Sequence, residues 1–283
     1  MTALVALAGL AANNYQASIE SWRKDREERL KSKDGWLTVA GLFWLKDGEN
    51  RVGSDPASEI VLPPDRAPSR VGIFDFQGGK TRFRIATGAH VTVNGKPVLT
   101  ADLKPDTSGT PDLMQFGDFT MFVIKRGPRY AIRLRDLHSK MRDDFSGLHW
   151  YPPKEAYRVI AKWVPYDQPQ KIAIPNVLGQ TEYEQSPGYA VFQLMGHSYR
   201  LDPVLEGDQL FFIFRDQTSS KTTYGAGRFL YADLAKEGKV VLDFNKAINP
   251  PCAFTPYATC PLPPKQNRLA VKIEAGEMRY GDH

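Results

Sequence analysis

Short apolar runs, cut by Gly, Asn, Asp or Pro, constrain this chain most. In its second half they recur about every 8–15 residues with no helical spacer between them. Residues 81–85 and 130–135 alternate apolar with polar side chains, the period of a half-buried strand. Gly78-Gly79 turns the run 70–76 into 81–85, and Asn94-Gly95 turns 91–93 into 97–99. Asn-Gly is the strongest short hairpin signal, because both central residues of the favoured turn need positive φ. The pattern predicts a mainly-β chain of antiparallel sheets, as sandwich or partly closed barrel.

One segment departs from this rhythm. Tyr15, Ile19, Trp22 and Leu30 recur near helical spacing, so a helix is expected from a cap at Asn13 or Asn14 to about Lys31, ended by Asp34-Gly35. Residues 36–45 form a nearly continuous apolar run that reads as buried, either strand or short helix. Further strands are expected at 59–62, 119–124, 157–164, 170–174, 189–194, 198–204, 209–214 and 268–273. Residues 228–231 and 239–243 are expected to pair as a hairpin around Glu237-Gly238. The organisation expected is 1–46 as helix and apolar segment, 47–136 as a β-sandwich and 137–283 as a second antiparallel region, with the seam in 136–153.

Composition narrows the partners. Net charge is +5, with basic and acidic residues interspersed, and the basic run from Lys125 to Arg135 accompanies no nucleic-acid motif. A small-molecule partner is therefore favoured over nucleic acid, and the oligomeric state is left open. No run reaches the length of a membrane span. Residues 3–12 are apolar and end in small residues, but no Lys or Arg precedes them. They read as a helix start, a remnant or a trimmed signal, and a cytoplasmic location is expected with the periplasm as alternative. Cys252 and Cys260 permit a disulfide in an oxidising compartment and stay thiols in a reducing one.

The last quarter is the densest in polar, aromatic and cysteine side chains. It holds Thr223-Tyr224, Gly227-Arg228-Phe229-Leu230, Asp243-Phe244-Asn245, Asn249-Pro250-Pro251-Cys252-Ala253-Phe254, Cys260-Pro261-Leu262-Pro263-Pro264, Asn267 and Ala275-Gly276-Glu277. With Gly35-Trp36-Leu37 and Ala40-Gly41-Leu42, these strings resemble the bacterial family DUF1684, and the resemblance covers most of the chain. It implies no established activity. Residues from about 48 to 135 resemble a forkhead-associated (FHA) sandwich through Val52-Gly53-Ser54, the strand at 60–62, Ser69-Arg70, Asn94-Gly95 and Gly117-Asp118. The resemblance implies an FHA-like shape. Ser54 stands where the phosphothreonine-reading Arg belongs, and Gly72 where a His normally follows the Ser-Arg pair. Without that Arg the bidentate phosphate contact is lost.

The candidate binding residues are Tyr224, Arg228, Asp243, Asn245, Asn249 and Cys252. Arg228 suits a carboxylate or phosphate, Tyr224 and Asn245 can hydrogen-bond it, and neighbouring aromatics can wall a cleft. Asp243 and Asn245 lie two apart, so a strand would put them on one face. Pro250 and Pro251 would brace the loop carrying Asn249 and Cys252. A structural reading competes: Arg228 pairs with Asp243 inside the fold, and the two asparagines satisfy loop backbone. A hydrolase would use Cys252 or Asp243, but His90, His138, His149, His197 and His283 stand in no recognised Cys-His pattern. A third reading keeps an FHA-like interaction module without phosphothreonine readout. Asp243, Asn245 and Asn249 have the oxygen ligands for Ca²⁺ but too little negative charge for a tight site. No metal and no cofactor is called for.

Overall fold

The computed structural model describes residues 2–281, with side chains from residue 13 onward. His283 lies outside the described residues, as do the side chains of the apolar stretch 3–12. The chain divides into two compact units: Lys31–Phe145, the sandwich unit, and Met1–Leu30 with Ser146–His283, the outer unit. The helix therefore groups with the C-terminal half, and the apolar segment after it groups with the sandwich.

Helix α1 runs Thr2–Lys31, so Asn13 and Asn14 lie inside it rather than capping it. Ile19 and Leu30 are buried, and Tyr15 and Trp22 are half-buried on the same stripe. Arg23 is buried as well, its guanidinium donating to the Tyr151 carbonyl at 2.7 Å. The stripe is thus partly polar, and its polar members reach backbone and side chains in the C-terminal half.

The sandwich unit holds β1 (Val39–Trp44), β2 (Gly48–Gly53), β3 (Ile60–Val61), β4 (Gly72–Gln77), β5 (Lys80–Ile85), β6 (Thr92–Val93), β7 (Lys96–Pro97), β8 (Thr100–Leu103), β9 (Met114–Phe116), β10 (Phe119–Arg126) and β11 (Arg129–Asp136). One sheet has the order β1-β11-β10-β9-β6-β7 and the other β3-β2-β4-β5-β8. Pairing is antiparallel except β2 with β3, which is parallel. The apolar run after α1 resolves into a 3-10 turn, Trp36–Thr38, followed by β1. Asn94 and Gly95 have φ of 51° and 77°, the turn their pairing predicts. Phe74 and Phe83 from one sheet pack with Met114, Met121, Val123 and Ile132 from the other in a single apolar cluster. Gly72 has a packing reason: a Cβ there would lie 2.4 Å from the Phe83 ring.

The outer unit holds β12 (Arg158–Pro175), β13 (Thr181–Leu194), β14 (His197–Leu201), β15 (Val204–Glu206), β16 (Gln209–Phe214), β17 (Arg228–Asp233) and β18 (Lys239–Asp243). Two open sheets, β14-β13-β12-β18 and β15-β16-β17, replace the alternative of a barrel. The runs at 157–164 and 170–174 are one strand with an irregular register between Pro165 and Gln170, and the run 198–204 is split between β14 and β15. Phe192, Phe212, Phe214, Leu242 and Phe244 form the core of this unit.

Two expectations are corrected here. Residues 228–231 and 239–243 are not a hairpin: β17 pairs with β16, and β18 pairs with β12. The other edge of β17 is occupied by Ile248, which exchanges backbone hydrogen bonds of 2.8 and 2.9 Å with Phe229. Residues 268–273 do not form a strand. Leu269, Val271 and Ile273 are buried, as the alternation requires. Their backbone meets residues 215–217 only intermittently, with Leu269 N donating to Arg215 O at 2.7 Å and Gln217 N to Val271 O at 2.9 Å. Side chains supply the remaining partners, as the site geometry makes plain.

Candidate functional site

Arg228 lies at the start of β17 and is 1 % exposed. Its guanidinium donates to the carbonyls of Ala275 and Ile273, the latter at 2.9 Å. Its carboxylate partner is Asp216 at 3.4 Å, not Asp243. Burial pushes the guanidinium below its usual range, against the pull of Asp216. Asp216 follows β16 and gathers several donors, Ser219 Oγ at 3.4 Å among them. It accepts from Thr218 Oγ1 at 2.7 Å and from the Ile273 N–H at 2.6 Å, besides Arg228. Thr218 in turn shares a 2.9 Å hydrogen bond with Thr223. Buried backbone needs partners whether or not it forms a ladder. Here one ion pair supplies those that residues 273–275 lack.

Asp243 and Asn245 do come together. Asp243 ends β18 and accepts from the Asn245 N–H at 3.2 Å and from Asn245 Nδ2 at 3.1 Å. Tyr15 on α1 donates its hydroxyl to the same oxygen at 2.8 Å. Burial first, then Asp243, raises the Tyr15 hydroxyl well above its ordinary range, so it stays a donor. The side chain of Asn245 also holds residue 154 at both ends, accepting from Lys154 N at 2.9 Å and donating to Lys154 O at 2.8 Å.

Asn249 belongs to another network. Its N–H donates to Glu277 at 2.7 Å, and its Nδ2 donates to the Met278 carbonyl at 2.7 Å. Glu277 is fully buried and accepts from Arg26 Nε at 2.9 Å. Burial raises the Glu277 carboxyl despite Arg26 beside it. The separation of Asn249 from Asp243 and Asn245 removes the three-ligand Ca²⁺ arrangement. No group of three His, Cys, Asp or Glu side chains placed for a metal occurs among the described residues.

Tyr224 is half-buried, and burial followed by the nearness of Cys252 and Cys260 raises its phenol. The two cysteines are thiols in this structure, and the Cys252 N–H donates to Cys260 Sγ at 3.1 Å. Pro251 opens the 3-10 turn Pro251–Ala253 that carries Cys252, the bracing its sequence implied. The Cys260 carbonyl accepts from Val177 at 3.1 Å, and Leu262 N donates to the Pro175 carbonyl at 2.7 Å. The β12–β13 connection is thereby tied to the cysteine loop.

An open depression of about 550 Å³ is lined by His149, Trp150, Lys221, Thr222, Met278, Arg279 and Gly281. Three chain segments are stitched together beneath it. Met278 N donates to His149 O at 2.8 Å, Arg279 N to Thr222 O at 3.0 Å, and Tyr151 N to Gly276 O at 3.1 Å. The Tyr151 hydroxyl donates to the Thr222 hydroxyl. Trp150 is held by the Trp22 ring, 5.8 Å away edge-on, and by Arg23 at 4.8 Å from its centroid. Gly276 sits at φ 79°, where a Cβ would lie 2.5 Å from the Ala247 carbonyl oxygen. Only glycine meets both conditions.

None of the six candidate side chains lines this depression. Asn249 and Glu277 brace its 277–279 wall, and Arg228, through Asp216, braces its 221–222 wall. Sequence reasoning missed Asp216, Thr218, Lys221, Thr222, Glu277 as partner of Arg26, and Arg279. One local signal was present: Asp216-Gln217-Thr218-Ser219 is a polar cluster directly after an apolar strand, a pattern that favours side-chain-to-backbone turns.

Fold and site together define a two-unit, mainly-β protein whose outer unit ends in a buried polar corner beside a basic depression. The chain belongs to the family described as Protein of unknown function (DUF1684), whose match covers residues 143–278. An uncharacterised protein of Haloarcula marismortui, solved by solution NMR, is 32 % identical over 50 % of this chain and 81 % of its own, with a TM-score of 0.42. An FhaA FHA domain, solved in complex with the intracellular domain of Rv3910, is 19 % identical over 33 % of this chain and 97 % of its own, with a TM-score of 0.24. An FHA structure from a study of phosphothreonine-dependent FHA domain interactions gives the same identity and TM-score, over 92 % of its own chain. No curated protein matches the chain. Among the described residues no helix is long and apolar enough to cross a membrane.

Proposed function

We propose that this protein binds a small anionic organic molecule in the depression beside residues 221–222 and 278–279. One observation carries the reading: among the described residues the lining presents Lys221, Arg279 and His149 and no carboxylate. Clustered cations on a concave surface raise the local concentration of anions. Trp150 and Met278 add apolar surface, as small-molecule sites generally have. In this reading Arg228, Asp243, Asn245 and Asn249 serve the site from behind. Asn249 holds the Met278 carbonyl, Arg228 acts through Asp216 and Thr218, and Asp243 with Asn245 fixes Lys154 farther along the chain, so little ordering cost falls on binding.

The test is calorimetric titration of the purified protein with a panel of small mono- and dianions at constant ionic strength. Binding is expected, and Lys221→Ala with Arg279→Ala together should abolish it while leaving the unfolding midpoint in place. Equal affinity in wild type and double variant would remove the site.

A further inference from the structure

The ligand class follows from which hydrogen-bonding groups the depression offers, and the inference rests on the binding reading above. Lys221 offers three N–H donors and no acceptor, and Arg279 offers five in a planar fork. Thr222 accepts the Tyr151 hydroxyl proton on its own oxygen, which leaves its hydroxyl hydrogen to donate. Two of the lining carbonyls already accept: Thr222 O from Arg279 N, and His149 O from Met278 N. Asp and Glu are absent from the described lining. The described lining is therefore rich in side-chain donors, with two cationic side chains and no carboxylate to oppose them.

A carboxylate has two oxygens and a single charge. A phosphate monoester presents three acceptor oxygens and carries about −1.5 to −2 charge near neutral pH. The second matches the donor inventory and the charge of Lys221 with Arg279. Arginine forks suit phosphate in particular, because two parallel N–H groups can engage two oxygens at once. The backbone bond of 3.0 Å between Arg279 N and Thr222 O fixes the two segments against each other, so these donors start from a common base. Trp150 and Met278 form the apolar part of the lining, and Trp150 is already immobilised by Trp22 and Arg23.

We infer that the ligand is a small-molecule phosphate monoester, its phosphoryl group between Lys221, Thr222 and Arg279 and its organic part on Trp150 and Met278. The probes are phenyl phosphate, inorganic phosphate and benzoate, titrated calorimetrically into the full chain at constant ionic strength. Phenyl phosphate is expected to bind about tenfold tighter than benzoate, through the extra charge and oxygen. It should also bind more tightly than inorganic phosphate, through contact with Trp150. Arg279→Ala and Lys221→Ala should each weaken phenyl phosphate by about tenfold or more while moving benzoate less. Trp150→Phe should remove the fluorescence change that accompanies phenyl phosphate binding.

Equal binding of benzoate and phenyl phosphate, both lost in the double variant, would overturn the phosphoryl assignment and leave the anion site standing. Equal binding of inorganic and phenyl phosphate would overturn the organic contact. Absence of binding by all three probes would overturn both the assignment and the binding reading. Circular dichroism of each variant separates a lost site from a lost fold.

Discussion

The two units bury different things. In the sandwich unit the core is mostly apolar, and Arg82–Asp102, Arg84–Glu49 and Arg51–Glu59 are exposed or rim pairs, with Arg66–Asp136 and Arg126–Asp106 more buried. In the outer unit Arg228–Asp216 and Arg26–Glu277 bury both carboxylates completely. The difference tracks backbone regularity. Residues 72–85 and 119–136 satisfy their polar groups in ladders. Residues 244–281 form no named strand, yet many are buried, so side chains must stand in for the missing neighbours. Charge inside the outer unit is a consequence of irregular chain inside it.

The largest expected effect breaks that comparison directly. Arg228→Met leaves the buried Asp216 carboxylate without its cation and two buried carbonyls without this donor, and should cost about 3–5 kcal/mol in urea unfolding. Arg82→Met, on the sandwich surface, should leave the midpoint unchanged. Similar shifts for the two variants would show that the buried pair is not what holds the outer unit. Gly276→Ala should cost about 2 kcal/mol or more, from positive φ and the Ala247 carbonyl together. Gly48→Ala is the contrast: its φ is 89° and a Cβ there meets nothing within 4 Å, so the cost should be about 1 kcal/mol.

A smaller effect concerns pH. The folded state holds the Glu277 proton more tightly than the unfolded chain does, because burial raises that carboxyl. The contribution from this group is therefore fully present below the unfolded carboxylate range and is lost as pH rises through the raised folded value. Glu277→Gln should flatten that slope in unfolding curves taken across pH. It should also lower overall stability, since Arg26 and Asn249 both donate and an amide oxygen can replace only one carboxylate oxygen. An unchanged slope would assign the pH dependence elsewhere. The smallest effect is a rate. Cys252 is half-buried and Cys260 is 5 % exposed, so a thiol reagent should modify the first well before the second. Equal rates would mean that the cysteine loop opens readily and the corner is less rigid than its hydrogen bonds imply.

The sandwich was the more legible unit because its signals are local. Alternation at 81–85 and 130–135 and the Asn94-Gly95 turn depend on neighbouring residues alone. The candidate site was legible as a region but not in its pairings. Asp243 and Asn245 do share a network, yet the third member is Tyr15 from the first helix. The structural alternative set Arg228 opposite Asp243, but Arg228 meets Asp216, because β17 and β18 lie in different sheets. That choice was settled by Ile248 filling the edge of β17, which no window of sequence around residue 228 contains. The last expected strand failed for a related reason. Its alternation is real and directs burial, but its backbone meets residues 215–217 only at Leu269 and Val271, and at Ile273 an aspartate and an arginine take the place of a neighbouring strand.

The tie between α1 and the C-terminal corner has a consequence for synthesis on the ribosome. Tyr15 must wait for Asp243, 228 residues later, and Arg26 for Glu277, 251 residues later. Translation adds about 5–20 residues per second, so the helix emerges many seconds before its partners exist. The sandwich unit is complete in one uninterrupted stretch and can close meanwhile. The first helix made is thus among the last to be secured, and a nascent chain stalled before residue 243 carries its polar stripe unmatched.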